Sequence, residues 1–245
     1  MIKAGDYIII YCKGKKTLVR LMEKQSYTTK CGTLKADDII GKEYGTIIGK
    51  NYIMKPQLED IIMFGLKRKT QIIYPKEASM IGVKLDLKNG KKVFECGTGS
   101  GAMTMFIIDK IMPEGELFTY DRDKGFQENA KNNLKEFGYL NDKIHFKIGN
   151  LEDGIEEKDF DAAFLDVKEP WNYLTLMKDI LKPGSPIGIL VPTTNQVSKT
   201  LYEMEKHFNY IEALEIFMRE YKVNPARLRP ADIMVGHTGY LIFGR

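Results

Sequence analysis

The 245-residue chain is 43% hydrophobic and 29% charged, a composition typical of a globular protein with a substantial core. Its net charge of +4 permits nucleic-acid binding without requiring it. No stretch reaches the roughly 18 apolar residues of a membrane span, and the start lacks a signal-peptide pattern, so we predict a cytoplasmic protein. Cys12, Cys31 and Cys96 are an odd number and lack metal-ligand spacing, so the sequence predicts neither a disulfide framework nor a zinc site.

Short alternating segments punctuated by glycines occupy residues 1–65. They predict a small β-barrel or curled sheet, forming a domain separate from residues 66–245. The predicted strands are residues 6–11, 17–21, 27–29 and 46–48. Lysines and tyrosines are interleaved here, which suits an RNA-facing surface, but solvated barrel faces are also rich in lysine. Both interpretations stay open.

A glycine-rich turn stands near the middle of the chain, where residues 95–101 read Glu-Cys-Gly-Thr-Gly-Ser-Gly. A short apolar run at residues 92–94 predicts a buried strand before it. Apolar residues at helical spacing over 102–112 predict a helix after it. A strand, a glycine turn and a helix in this order are typical of a site where a nucleotide-like ligand approaches bare backbone.

Two cofactors fit this turn. Gly97, Gly99 and Ala102 match the dinucleotide fingerprint G-x-G-x-x-A, and Asp121 follows at about the right distance for a ribose hydroxyl. Glu95 and a third glycine, Gly101, favour S-adenosylmethionine instead. That ligand has an ammonium group and a ribose diol but no pyrophosphate, so carboxylates are useful in its site. A turn that only packs a helix on a sheet is the third interpretation.

Strands and helices alternate after the turn. Strands are predicted at residues 116–120, 144–148, 160–166 and 186–191, and helices at 124–137, 171–181 and 194–207. Repeated βαβ units predict a doubly wound α/β fold, with helices on both faces of a parallel sheet. The last two predicted strands, residues 211–217 and 238–243, have no useful helix between them and should pair antiparallel.

Polar residues follow several of these strands. Glu95, Asp121, Asn150 and Asp166 lie at or just beyond predicted strand ends. Ligands bind outside the carboxyl ends of the strands in an open α/β sheet, at the switch in strand order. We therefore expect the four side chains to converge on one crevice.

Three further segments carry a resemblance to a known family. Residues 70–77 (Thr-Gln-Ile-Ile-Tyr-Pro-Lys-Glu), 166–171 (Asp-Val-Lys-Glu-Pro-Trp) and 236–241 (Gly-His-Thr-Gly-Tyr-Leu) closely resemble the tRNA adenine-N1 methyltransferases that modify the T-loop adenosine at position 58. The resemblance spans essentially the whole chain. It implies the seven-stranded class I methyltransferase fold with a C-terminal antiparallel hairpin, S-adenosylmethionine as cofactor, tRNA as partner and a homotetramer.

The resemblance also implies roles for individual residues. Asp166 matches the active-site aspartate, and a carboxylate there accepts a hydrogen bond from the adenine amine. Tyr74 is the second catalytic candidate, able to stack on the target base, although an ordinary hydrophobic anchor is the alternative. The cofactor-binding candidates are Gln71, Glu95, Gly97, Thr98, Gly99, Ser100, Gly101, Ala102, Asp121, Arg122, Asn150, Leu151 and Asp166.

This chain departs from the family pattern at two positions. Lys168 stands where the family has the first proline of Asp-x-Pro-x-Pro-Trp, and Asn150 stands where an aspartate is expected. The RNA-binding candidates are Arg227, Arg229 and His237, with turn stabilisation and a structural histidine as the alternatives.

The predicted function is methyl transfer from S-adenosylmethionine to N1 of adenosine 58 in tRNA, with adenosine 57 as a further target that archaeal relatives allow. Three alternatives stay open: a methyltransferase of the same fold with another acceptor, a nicotinamide enzyme, and a non-catalytic tRNA-binding subunit. The glycine turn together with Asp166 favours an enzyme over the last of these.

Overall fold

The computed structural model describes all 245 residues, which form two compact units, Met1–Leu66 and Lys67–Arg245. The sequence placed the division between residues 65 and 66. No helix is long and apolar enough to cross a bilayer.

The N-terminal unit contains six short strands, a 3-10 turn over Ala36–Asp38 and one further helical segment. The elements are β1 (Tyr7–Cys12), β2 (Lys15–Arg20), β3 (Ser26–Thr29), β4 (Gly32–Lys35), β5 (Ile47–Ile48), β6 (Asn51–Met54) and α1 (Leu58–Asp60), which continues as a π-helical turn over Ile61–Gly65. The strands form an antiparallel four-stranded sheet in the order β2-β1-β6-β5 and a separate β3-β4 hairpin. No strand pairing closes this unit into a barrel. Its core is aliphatic, with Ile8, Leu21 and Ile53 fully buried.

The prediction of no disulfide is wrong. Cys12, at the end of β1, is bonded to Cys31, in the turn between β3 and β4, with a Cα–Cα distance of 6.2 Å. The two residues are 19 positions apart, and only the folding of the hairpin against β1 brings them together. Cys96 is the free cysteine and is buried.

The second unit is built on a seven-stranded sheet. Its first half contains α2 (Pro75–Lys84), β7 (Lys92–Cys96), α3 (Ala102–Ile111), β8 (Glu116–Asp121), α4 (Lys124–Glu136) and β9 (Ile144–Ile148). Its second half contains β10 (Ala162–Leu165), α5 (Leu174–Ile180), β11 (Ile187–Val191), α6 (Thr194–Met204), β12 (Ile211–Glu215), β13 (Tyr221–Lys222), β14 (Arg229–Pro230) and β15 (Tyr240–Gly244).

The strand order is β12-β15-β11-β10-β7-β8-β9. Strands β7 to β11 are parallel, whereas β15 pairs antiparallel with both β11 and β12. This confirms the predicted α/β fold of the class I methyltransferases with an antiparallel C-terminal pair. Strand order reverses between β7 and β10, so their carboxyl ends flank the crevice where such sheets bind ligands.

Burial explains why these segments form strands. Each residue of β10, Ala-Ala-Phe-Leu, is buried, as expected for a central strand covered by helices on both faces. Phe94, Phe160 and Phe164 have no exposed surface, and each contributes roughly 2–3 kcal/mol through the hydrophobic effect.

One helix was not predicted, and another begins at a different residue from the one predicted. Residues 75–84 form α2, which begins at Pro75 in a position where its missing N–H costs nothing. The helix predicted from residue 171 begins instead as a 3-10 turn, Pro170–Tyr173, and becomes α-helical at Leu174.

Candidate active site

A cavity of about 560 Å³ lies at the carboxyl ends of the central strands of the second unit. This volume is within the usual range for sites that bind small molecules. Most of the predicted site residues line it, and they come from separate segments of the chain. These lining residues are Gln71, Gly97, Thr98, Gly99, Ser100, Ala102, Asp121, Arg122, Asn150, Leu151 and Asp166.

The surroundings of Gly97 explain why the turn begins with a glycine. Its φ is +101°, and a Cβ added there would lie 2.3 Å from the backbone oxygen of Asp166. The backbone N–H of Asp166 also donates to the carbonyl of Cys96, at 2.8 Å. Only a residue without a side chain permits this approach, which places the turn directly against the end of β10.

Ser100 joins the glycine turn to the segment before α2. Its Oγ accepts hydrogen bonds from the backbone N–H groups of Lys69 (3.1 Å) and Thr70 (3.2 Å). Its carbonyl oxygen accepts from Asn133 Nδ2 of α4, at 2.9 Å. These bonds place Gln71 at the cavity, although Gln71 is far from the turn in sequence.

Asp121 ends β8 and is held by backbone donors. One carboxylate oxygen accepts from the Gly99 N–H and the other from the Asp123 N–H, each at 2.9 Å. The residue is buried and lines the cavity. An ionised carboxylate has about four acceptor positions, so Asp121 can still accept hydrogen bonds from a ligand hydroxyl.

Asp166 contrasts with Asp121 because its carboxylate has no hydrogen-bond partner within the protein, although its backbone is fixed. Burial, and secondarily the negative charge of Asp121, raises the pKa of Asp166 to about 6. The free lone pairs of this carboxylate can therefore accept hydrogen bonds from a ligand in the cavity.

The expectation that Glu95 faces the ligand is wrong. Its side chain is fully buried inside β7 and does not line the cavity. Its Oε2 accepts from the hydroxyls of Thr104 (2.7 Å) and Thr119 (2.6 Å), while Oε1 has no partner. Burial raises the pKa of Glu95 to about 8, so the group is neutral at pH 7. Glu95 connects β7 to β8 and α3 beneath the turn.

Gly101 is also absent from the cavity wall. A Cβ there would lie 2.9 Å from Leu134 Cδ1, so this glycine allows α4 to pack closely against the start of α3. Cys96 lines the cavity, but burial raises its pKa to about 12, which excludes a reactive thiolate.

Tyr74 lies beside the cavity rather than in its wall, as the residue before α2. Its hydroxyl accepts a hydrogen bond from Gln71 Nε2 at 3.0 Å. Tyr74 is therefore connected to the cavity wall through the Gln71 amide.

The three RNA-binding candidates lie on the excursion between β12 and β15, outside the cavity wall. His237 contacts the Glu215 carboxylate at 2.6 Å and the Pro192 carbonyl at 2.8 Å, and these bonds raise its pKa. Arg229 pairs with Asp232 at 3.7 Å, and Arg227 is exposed. This favours a structural role for His237.

Sequence reasoning missed much of the cavity wall. Apolar walls come from Ile72, Ile73, Met103 and Phe126, whose spacing indicates only core packing. Further polar and aromatic groups that line the cavity are Glu152, Lys168, Glu169 and Tyr173. The Tyr173 hydroxyl donates to Glu152 at 3.4 Å. No group of three or more His, Cys, Asp or Glu side chains is arranged to hold a metal ion.

The family described as "tRNA methyltransferase complex GCD14 subunit" matches residues 49–238, more than three quarters of the chain. The chain belongs to the GCD14 family. The match includes the glycine turn, Asp166 and β12, and it ends just before β15.

Relatives of this GCD14-family chain resemble it over nearly its whole length. It is 30% identical to the tRNA (adenine(57)-N(1)/adenine(58)-N(1))-methyltransferase TrmI of Methanocaldococcus jannaschii, with 95% of this chain and 92% of the relative covered. The crystal structure of the tRNA (m1A58) methyltransferase TrmI of Aquifex aeolicus superposes with a TM-score of 0.94 at 42% identity, covering 100% and 98% of the two chains.

A second solved structure is similarly close to this member of the GCD14 family. It is described as a SAM-dependent O-methyltransferase from Thermotoga maritima, with a TM-score of 0.92 and 38% identity over 99% of this chain and 93% of the other. These two solved structures thus share one fold, although one is described as a tRNA (m1A58) methyltransferase and the other as an O-methyltransferase.

Proposed function

We propose that this protein transfers a methyl group from S-adenosylmethionine to N1 of the T-loop adenosine at position 58 of tRNA. The observation that carries the proposal is the unpaired Asp166 carboxylate, placed by the Gly97 contact at the junction of the glycine turn and β10. The relatives named for this reaction at 30% and 42% identity support the choice of acceptor.

The cavity fits the cofactor. Gly97 and Gly99 line the cavity without side chains, which permits close approach of a ligand to the backbone of the turn. Asp121 would accept from the ribose hydroxyls, and the Asn150 side chain would contact the adenine ring. When bound, S-adenosylmethionine supplies a methyl group already activated by its sulfonium.

The protein then contributes position and charge. In the proposed reaction the bound cofactor would give its methyl carbon to the N1 lone pair of adenine, the electrons of the carbon–sulfur bond would stay on sulfur, and the positive charge would pass to the adenine ring. Asp166 would accept a hydrogen bond from the exocyclic amine, which orients the ring and stabilises that charge. The free lone pairs of Asp166 suit this role because no protein donor has to be displaced first.

Folded tRNA buries the T-loop adenosine, so the enzyme has to extract the nucleotide before transfer. We propose position 58 as the target. The archaeal relative is also named for position 57, which makes a second product at 57 a measurable extension.

The deciding experiment incubates the protein with unmodified tRNA transcript and methyl-labelled S-adenosylmethionine, then digests the RNA and identifies the labelled nucleoside. We expect 1-methyladenosine. A transcript with guanosine at position 58 is the matched control and should lose the label, or retain only a fraction at position 57. Label on a ribose or small-molecule oxygen would instead support the O-methyltransferase description of the Thermotoga neighbour.

We further propose that the enzyme assembles as a homotetramer, as the family resemblance implies. The excursion between β12 and β15 supports self-association because it exposes a run of apolar side chains, which monomeric surfaces rarely do. Its most exposed members are Val223 (94%) and Ile233 (86%).

Light scattering tests the assembly. We expect a tetramer for the natural sequence and smaller species for Val223→Glu with Ile233→Glu. Val83→Glu is the matched control, because Val83 is also exposed but lies on α2. A tetramer that survives the double substitution would exclude this excursion as the subunit contact.

A further inference from the structure

Positive charge is divided unequally between the two units. The chain has 37 Lys and Arg and 33 Asp and Glu; residues 1–66 hold eleven and seven of these, which leaves 26 and 26 in residues 67–245. The whole net charge of +4 therefore belongs to the N-terminal unit, and the unit with the methyltransferase fold is neutral. A small domain with this imbalance attracts polyanions.

A cavity of about 250 Å³ lies in this basic unit. Lys15 and Thr17 of β2 line one part of it, and Thr28 of β3 and Lys30 of the following turn line another. Its volume is below the usual range for sites that take a whole small organic molecule, so a compact group is the suitable ligand.

The Cys12–Cys31 disulfide holds the two sides of this cavity together. Cys12 pairs across the β1–β2 ladder with Lys15, and Cys31 directly follows Lys30. The bond therefore joins two hairpin turns that belong to different sheets, with one lysine on each turn. Without the bond, no covalent link would fix the separation of the two ammonium groups.

The polar groups of the cavity are free to bind a ligand. Lys15 and Lys30 are exposed and form no ion pair, in contrast to Lys16, whose Nζ lies 2.7 Å from Asp60 Oδ1. The hydroxyls of Thr17 and Thr28 have no hydrogen-bond partner in the protein.

Thr29 differs, because its hydroxyl already contacts Asn51 at 2.7 Å and the Gly32 carbonyl at 2.9 Å. The cavity therefore offers two ammonium groups and two hydroxyl donors to a ligand with several acceptor oxygens.

We propose that this cavity binds a backbone phosphate of the RNA substrate, with the Cys12–Cys31 disulfide holding Lys15 and Lys30 around it. The inference rests on the proposed function for the identity of the RNA. A phosphate is compact, offers several acceptor oxygens and carries the charge that lysines bind as point charges. This contact positions the tRNA without reading its sequence.

The test compares two double variants that remove the same charge from the same unit. Lys15→Gln with Lys30→Gln alters the cavity, and Lys42→Gln with Lys50→Gln alters two exposed lysines elsewhere in the unit. Binding of unmodified tRNA transcript is measured by filter binding from 50 to 200 mM salt. Each lost phosphate contact lowers the slope of log affinity against log salt by about 0.9, so the cavity variant, which loses one phosphate contact, should have a slope smaller by about 0.9.

Between 50 and 200 mM salt, the ratio of the affinity of the natural protein to that of the cavity variant should therefore fall by roughly three- to fourfold. The control variant should keep the natural slope. Affinity for S-adenosylhomocysteine and the rate at saturating tRNA should be unchanged in both variants, which also shows that they are folded.

Reduction by dithiothreitol tests the role of the disulfide. We expect the natural protein to lose tRNA affinity on reduction, and the cavity variant to lose little more, because the two perturbations act on one site. Cys12→Ser with Cys31→Ser should behave like the reduced protein.

Three outcomes would overturn the phosphate site: a cavity variant with the slope of the control, loss of affinity on reduction that is equal with and without the lysines, or a natural protein that does not bind tRNA. Lysine-dependent tRNA binding without formation of 1-methyladenosine would leave the site standing and refute the proposed function instead.

Discussion

The ionisation of Asp166 should control the rate of methyl transfer. Burial, and secondarily Asp121, raises its pKa to about 6. Only the ionised carboxylate accepts from the adenine amine without donating a proton back, so the rate follows the ionised fraction. That fraction is about one tenth at pH 5 and about nine tenths at pH 7, which predicts a roughly tenfold rise in rate that then levels off.

The assay is single-turnover transfer of labelled methyl to tRNA, with enzyme and cofactor in excess, between pH 5 and pH 8. Single-turnover conditions exclude product release from the measured rate. Cofactor affinity measured over the same pH range by calorimetry with S-adenosylhomocysteine separates loss of binding from loss of chemistry.

Asp166→Asn is the matched control because it keeps the shape of the side chain and removes its charge. We expect its rate to fall by about 10²- to 10⁴-fold and to lose the dependence on pH between 5 and 7. A rate that does not change with pH in the natural enzyme, or the same rise in rate between pH 5 and pH 7 in Asp166→Asn, would refute the assignment of this rise to Asp166.

Three further substitutions test the structure. Gly97→Ala would place a Cβ 2.3 Å from the Asp166 backbone oxygen at a φ of +101°, so cofactor affinity measured by calorimetry should fall by about tenfold or more; unchanged affinity would mean that the turn can move away from β10. Cys12→Ser with Cys31→Ser removes a cross-link between residues 19 positions apart and should cost the N-terminal unit about 3 kcal/mol in denaturant unfolding, whereas an unchanged midpoint would contradict it. The folded-state pKa of Glu95 is raised from 4.5 to about 8, so the stability that this group contributes is complete below pH 4.5 and is lost as the pH rises to 8. The melting temperature of Glu95→Gln should therefore rise relative to that of the natural protein between pH 6 and pH 9. A difference in melting temperature that stays constant with pH would show that Glu95 is charged in the fold.

Sequence patterns predicted the second unit well because its signals are local. Alternating strands and helices, the glycine turn and the missing crossover helix each follow from a few neighbouring residues, and β9 spans residues 144–148 as predicted. The convergence of Asp121, Asn150 and Asp166 followed from a general property of parallel sheets.

The N-terminal unit was harder to predict because its strands are short and contain polar inward positions. β6 begins with Asn51, which is buried and accepts a hydrogen bond from Thr29 in another sheet. A buried asparagine interrupts the alternation of apolar and polar residues that predicts a strand. Its hydrogen-bond partner, Thr29, can be identified only from the fold. The disulfide was missed because the number of cysteines is odd and because only the fold brings Cys12 and Cys31 together.

The role of Glu95 shows the limit of motif matching. Its place just before the glycines suggested a ligand contact, but alternation along β7 places its side chain inside the sheet packing, where Thr104 and Thr119 donate to it. A motif gives the order of residues along the chain, whereas the pleat of the strand decides which of them reach the cavity.

The contact between Gly97 and the end of β10 is made by main chain on both sides. The spacing between the glycine turn and Asp166 is therefore set by peptide geometry and does not depend on any side chain. Substitutions among the apolar wall residues, such as Ile72, Met103 and Phe126, can reshape the cavity while that spacing stays constant. Such a cavity can change the ligand it takes over evolution, or by engineering at these positions, without moving Asp166 away from the turn.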